Sequence, residues 1–387
     1  MIKKRVGIVG TGFIATGLMK SIKNQEDLIV SSVLTRRKLE DVLNTPFPET
    51  LTNSVEELIA NSDIVVECSG DVIYGTEVID RVMDFLIPVI TMNSELQVTT
   101  GSYFAKRGFI TEAEGDQPGS LAALNENIIQ MGFEPIVYGN IKGFLNHNPS
   151  IEDMLFWSNK QGISLEMVTS FTDGTKVQIE QALVANGLGA TILQKGLAGL
   201  EVPDVNVGGQ ELSELAAENK TSISDYIICP SGPPGVFISA KHNENQQKAL
   251  SYLKLGEGPF YTLTAPFHLC HLEIVKTIRR VINGGGVLLN NSTTPSISVA
   301  AIAKRDINPG EKINKGIGSF QVRGEAIKIV DEPSHIPIGL LSNATITKPI
   351  KAGEVITFSD VEIPETLALK FWLEITDNQS IDLLKIS

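Results

Sequence analysis

Asp173-Gly174-Thr175-Lys176 sets a carboxylate and an ammonium on either side of a flexible glycine, just ahead of a helical stretch. Glu180 follows Lys176 by about one turn, on the same helix face. The grouping suits an oxygen that gains negative charge as a carbonyl is reduced. Lys176 would grip that oxygen, while Asp173 and Glu180 orient the ammonium or hold a metal. The same residues also read as a helix N-terminal turn with an ordinary surface ion pair, and their types alone leave both readings open.

Other candidates lie elsewhere. Lys142, in Gly139-Asn140-Ile141-Lys142-Gly143, follows a predicted strand at 135–138 and reads equally as a cleft residue or a solvated lysine. Asp116 reads as a cap for a helix that starts near Ser120. His268 and His271, with Glu273, would be neighbours on a helix, but their spacing is not that of a zinc helix and no third ligand is evident. His268 alone is a candidate for catalysis or substrate binding. Carboxylates holding Mg²⁺ or Mn²⁺ together with substrate oxygens leave little trace in sequence, so the metal stays open. Cys68 has no base beside it and reads as a structural thiol.

These groups need a partner that supplies a hydride, and the N-terminus carries one signal for it. Gly7-Ile8-Val9-Gly10-Thr11-Gly12-Phe13-Ile14-Ala15-Thr16-Gly17 follows an apolar strand and opens a helix. Gly10 permits the turn, Gly12 lets backbone approach a pyrophosphate, and Ala15 or Gly17 keeps helix close to sheet. Thr11, Phe13 and Ile14 complete the loop and the helix N-terminus, whose N–H groups and dipole suit an anion. At the end of the second strand an NAD enzyme usually places Asp or Glu, but this chain has Thr35-Arg36-Arg37. Two guanidinium groups suit the 2′-phosphate of NADP(H), and NAD(H) is the less favoured cofactor. Ser69-Gly70 and Asn93-Ser94-Glu95 end the next two strands, where cofactor and substrate meet.

The elements that must position these residues follow. Strand and helix patterns alternate at 5–9, 13–23, 28–34, 38–43, 63–67, 75–85 and 88–91, which predicts a doubly wound parallel sheet. From about Asn148 helical stretches mix with Gly/Pro-rich loops, as in an α+β substrate domain. The tail repeats Ile307-Asn-Pro-Gly310-Glu311-Lys-Ile313 as Ile350-Lys-Ala-Gly353-Glu354-Val-Ile356, each copy a tight turn between apolar residues, as a hairpin requires. The reading is α/β, with domains at 1–147, 148–295 and 296–387. It makes everything after about Ser296 dispensable for dinucleotide binding.

Composition sets outer bounds. At 387 residues, 42% hydrophobic and 20% charged, the chain is that of a multidomain globular protein. A net charge of −13 argues against nucleic acid or an anionic membrane as partner. It does not forbid a small anionic substrate held by a local lysine cluster. Three scattered cysteines suit a reducing compartment, and no apolar run approaches the roughly 20 residues of a membrane span. A cytoplasmic homo-oligomer is expected.

Val89-Ile-Thr-Met-Asn93 at the nicotinamide edge resembles the homoserine dehydrogenase-like superfamily. Nearly the whole chain resembles the bacterial DXR-like reductoisomerases. The matching segments are Gly115-Asp-Gln-Pro-Gly119, Ser170-Phe-Thr-Asp-Gly-Thr-Lys176, Gly256-Glu-Gly-Pro259 and Pro266-Phe-His-Leu269. The tail resembles the SAF domain. This resemblance implies an NADPH oxidoreductase that rearranges and reduces 1-deoxy-D-xylulose 5-phosphate in isoprenoid biosynthesis, and it favours the catalytic reading of Lys176, Asp173, Glu180 and His268. Relatives of this architecture include sugar-acid oxidoisomerases, so a homoserine-type or sugar-acid dehydrogenase is the first alternative. A dinucleotide-sensing or scaffold protein is the second.

Overall fold

The computed structural model describes residues 3–384. The chain forms β1 (Lys4–Val9), α1 (Phe13–Lys23), β2 (Leu28–Leu34), β3 (Leu51–Thr52), α2 (Val55–Ala60), β4 (Ile64–Glu67), α3 (Val72–Met83) and β5 (Val89–Thr91). A continuous helical segment follows: α4 (Ser94–Leu96), a π-helical turn at Gln97–Gly101, and α5 (Ser102–Arg107). Then come β6 (Ile110–Glu112), α6 (Gln117–Gln130), β7 (Glu134–Lys142), α7 (Ile151–Gln161), α8 (Leu165–Thr172), α9 (Thr175–Leu188), β8 (Leu200–Glu201), α10 (Val205–Glu218), β9 (Ile223–Ile228) and β10 (Val236–Lys241). The remainder is α11 (Gln247–Tyr252), β11 (Phe260–Ala265), α12 (Ile274–Ile282), β12 (Ile297–Ala303), β13 (Lys312–Lys315), β14 (Val322–Lys328), β15 (Ser342–Ile346), β16 (Val361–Glu362) and α13 (Leu367–Leu384). No described helix is long and apolar enough to cross a membrane.

Two compact units result, and neither is contiguous in sequence. The first comprises 1–119, 269–294 and 365–387, and the second 120–268 and 295–364. This differs from the linear partition at 147 and 295. Two segments return to the first unit, and neither carries a boundary signal of its own.

The first unit holds a six-stranded parallel sheet in the order β3-β2-β1-β4-β5-β6, the doubly wound arrangement. Its strands are near-continuous apolar runs because helices cover both faces. Ala15, Leu18, Met19 and Ile22 of α1, joined by Ile274, Val275 and Ile278 of α12, bury one face against Val6 and Ile8. Val78, Ile79 and Val82 of α3 and Phe371 of α13 bury the other against Val9 and Val65.

The second unit is built around α9, which is buried from Thr175 to Asn186 apart from the half-buried Lys176. One side of α9 packs on β7 and β9 of a mixed sheet ordered β11-β10-β7-β9-β8. The other side packs on β12 and β14, an antiparallel pair in register from Ile297↔Lys328 to Ala303↔Val322. There the helix side chains finish the strands' hydrogen bonding. Thr175 Oγ1 accepts from Gly324 N at 2.9 Å and Gln178 Oε1 from Ala326 N at 2.8 Å. Asn186 Oδ1 accepts from Ile297 N at 3.0 Å.

The internal repeat is real, but its copies pair with each other instead of forming two hairpins. Ile307 and Ile350 exchange backbone hydrogen bonds at 2.9 and 3.0 Å. Each turn is closed the same way, with Glu311 accepting from Asn308 N and Glu354 from Lys351 N.

Candidate functional site

At the carboxyl ends of β1, β2 and β4 the first unit shapes a cradle for a dinucleotide. Gly10 turns the chain at φ +114°, where a Cβ would lie 2.9 Å from the Cys68 carbonyl oxygen, so only glycine fits. Gly12 precedes α1 with open space where its Cβ would stand, and no side chain caps this helix. The first-turn N–H groups at Phe13 and Ile14 thus have no side-chain cap. The Ile14 side chain itself packs into the core, so its contribution is backbone only. Thr11 Oγ1 lies 3.3 Å from Thr35 Oγ1, tying this loop to the end of β2.

The loop after β2 is held by Asn53, which carries no sequence motif. Its amide donates to Thr35 O at 2.6 Å and Arg37 O at 3.0 Å. Arg36 pairs with Asp71 at 2.7 Å and lies 4.3 Å over the Tyr74 ring, while Arg37 is exposed. After β4, Ser69 donates its N–H (2.8 Å) and its hydroxyl to Glu67, and Gly70 is left-handed at φ +64°. Asn93 caps the helical segment after β5 by accepting from Leu96 N at 3.1 Å. Glu95, two residues on, is half-buried. Glu67 went unnoticed in sequence: fully buried at the strand end, it is pushed up by desolvation despite bonds from Ser69 and from Thr91 at 3.0 Å. Burial also pushes the Cys68 thiol well up, and Glu67 and Glu112 add to the effect. An open Gly12, an uncapped helix and two arginines beyond β2 fit a dinucleotide.

The second unit gathers polar groups where α9 crosses β7. Glu180, 1% exposed, accepts from Asn140 Nδ2 at 2.8 Å and from Lys142 Nζ at 3.2 Å. It is not the outer half of a surface pair. Strand alternation puts Asn140 and Lys142 on the same face of β7. Asn140 is fully buried, and its Oδ1 has no hydrogen-bond partner. Sequence reasoning passed over it, although the period-two rule applied to Lys142 would have found it. Lys176 sits half-buried in the first turn of α9, one turn from Glu180.

Asp173 goes elsewhere. It is fully buried, bonded to Lys304 Nζ at 2.6 Å and accepting from Thr175 N at 2.9 Å. Its carboxylate ties the start of α9 to Lys304, just past the end of β12, instead of to Lys176 as the spacing suggested. Burial lowers the Lys304 ammonium even so, with Asp173 opposing the shift.

The histidines do not share a helix as their spacing suggested. His268 is half-buried in the loop after β11, at the end of the second unit, whereas His271 lies in a 3-10 turn of the first. His271 packs against Gly17 and meets the Phe13 ring edge-on at 5.7 Å. Asp116 lies just ahead of α6 with Ser94 Oγ at 3.4 Å from its carboxylate. Among the described residues no group of three or more His, Cys, Asp or Glu is arranged to hold a metal ion.

Comparison with known proteins supplies the family context. Residues 10–105 match the NAD-binding domain of homoserine dehydrogenase, 115–274 the catalytic domain of oxidoreductase DRL, and 298–362 the SAF domain. No curated protein matches significantly. Similar solved structures include a probable dehydrogenase from Thermotoga maritima (12% identity, TM-score 0.44, covering 74% of this chain and 91% of that one). Another is UDP-N-acetylglucosamine 3-dehydrogenase from Acidithiobacillus ferrooxidans (12%, TM-score 0.43, 75% and 93%). The chain is an NAD(P)-dependent oxidoreductase carrying a homoserine dehydrogenase-type nucleotide domain, a DRL-type catalytic domain and a SAF domain.

Proposed function

We propose that this chain is an NADPH-dependent reductoisomerase or reductase of a small phosphorylated ketose or polyol, with a substrate like 1-deoxy-D-xylulose 5-phosphate. The observation that carries the reading is the polar cluster in the DRL-type domain: the buried Glu180 carboxylate with Asn140, Lys142 and, one turn away, Lys176. Glu180 fixes Lys142 where β7 ends, so that the lysine presents an ammonium to an anionic or carbonyl oxygen. Lys176 supplies a second, aimed at the oxygen that becomes an alkoxide. His268 is assigned to substrate binding. Bound NADPH supplies the hydride. Arg36 and Arg37 at the end of β2 support NADPH over NADH, because guanidinium groups pair with a 2′-phosphate.

The test is NADPH oxidation by the purified protein with phosphorylated ketoses, semialdehydes and keto sugar acids, each with and without Mn²⁺. Turnover of a phosphorylated ketose is expected. Turnover confined to unphosphorylated semialdehydes or sugar acids would replace this reading with a homoserine-type or sugar-acid dehydrogenase. On the accepted substrate Lys176→Ala should lower kcat by roughly a hundredfold or more, as loss of a preorganised donor does, and leave the Kd for NADPH unchanged. Near-normal kcat would remove Lys176 from the chemistry.

A further inference from the structure

Arg36 is placed by two contacts made at the start of α3. Its guanidinium carbon lies 4.3 Å from the Tyr74 ring centroid, and Nη2 is 2.7 Å from Asp71 Oδ2. Asp71 is also the N-cap of α3, its other oxygen accepting from Tyr74 N at 3.0 Å. Stack and ion pair together confine the guanidinium at the end of β2, the edge that receives the adenosine end of a dinucleotide. Arg37 is exposed, and among the described residues its side chain makes no ion pair.

Resting on the NADPH reading above, we infer that Asp71 sets how strongly this chain discriminates NADPH from NADH, by competing with the 2′-phosphate for the Arg36 guanidinium. A guanidinium offers one planar fork of N–H donors, and a carboxylate already occupies part of it. A phosphate that approaches the same fork must displace the carboxylate or share the cation with a like charge. NADH brings only a hydroxyl to that position and meets no such conflict. The arrangement keeps Arg36 ordered before the cofactor arrives, at the expense of affinity for the phosphorylated form.

The charge can be removed without removing the cap, because asparagine and serine cap helices about as well as aspartate. Fluorescence titration of NADPH and NADH at low salt would compare the wild type with Asp71→Asn, Asp71→Ser, Arg36→Ala and the Arg36→Ala/Asp71→Asn double variant. Both Asp71 variants should bind NADPH about tenfold more tightly, as relief of a like-charge contact allows, with NADH affinity little changed. The gain should shrink at high salt and vanish in the Arg36→Ala background. An unchanged or weaker NADPH affinity in both Asp71 variants, or an equal gain without Arg36, would overturn the inference. The parent reading fails separately, if wild type does not prefer NADPH and Arg36→Ala leaves its affinity unaltered.

Discussion

A carboxylate taken out of water needs a matching cation, and the balance depends on which partner can still reach solvent. Glu180 is 1% exposed while the Lys142 side chain retains 18%. Removing Lys142 takes a cation away from a buried anion, whereas removing the Glu180 charge leaves a lysine that can turn its head to water. Lys142→Met is therefore expected to cost on the order of 3 kcal/mol in urea unfolding at neutral pH, and Glu180→Gln about 1 kcal/mol. Equal and small costs would place the pair in solvent after all. The charged members of this cluster were legible in sequence, since Lys142, Lys176 and Glu180 stand out. Their partners were not. The Glu180–Lys142 contact spans 38 positions and exists only because α9 packs on β7. Asp173 looked like the partner of Lys176 by spacing alone, yet its cation, Lys304, lies 131 positions away.

At the scale of elements, α1 shows how a motif can be read correctly and still be incompletely explained. The glycine pattern predicted a helix opened by an anion-binding loop, and β1, the turn at Gly10 and α1 stand where it put them. The sequence offered Ala15 or Gly17 for close approach to the sheet. Ala15 takes that role, fully buried among Val6, Ile8 and Val30. Gly17 instead faces His271, whose Cγ would lie 2.3 Å from an added Cβ. A residue 254 positions downstream leaves no trace in the local pattern. In an ordinary helix Gly→Ala stabilises by roughly 0.5–1 kcal/mol. Here Gly17→Ala must push an imidazole aside, and overpacking of that kind costs about 1–3 kcal/mol. Thermal melting should therefore show Gly17→Ala destabilised, and the Gly17→Ala/His271→Ala double variant more stable than His271→Ala alone. If Gly17→Ala melts above the wild type, the His271 contact does not hold the helix as described.

For the molecule as a whole, the βα alternation of the first sheet was readable because each strand and helix carries its own period. The way the chain is distributed between units was not. It crosses from one unit to the other at 119, 268, 294 and 364, and the last crossing returns α13 to the dinucleotide unit. There the Phe371 ring stacks on Tyr103 at 3.6 Å and meets Phe104 edge-on at 5.7 Å. Ala368, Phe371, Trp372 and Ile375 are all at most 3% exposed. The sequence pattern had made the whole tail dispensable for cofactor binding; the packing of α13 in the dinucleotide unit leads to the opposite prediction. Each large apolar side chain buried in full contributes roughly 1.5–3 kcal/mol, against a typical net stability of about 5–15 kcal/mol for a whole domain. Ending the chain at Pro364 should thus uncover one face of the dinucleotide unit and abolish both its cooperative melting and NADPH binding. Phe371→Ala offers the milder case, with a loss of about 3–5 kcal/mol, a lower Tm, and an unchanged Kd for NADPH well below that Tm. A truncated protein that melts like the full chain and binds NADPH as tightly would show that α13 merely rests on the sheet's helices without supporting them.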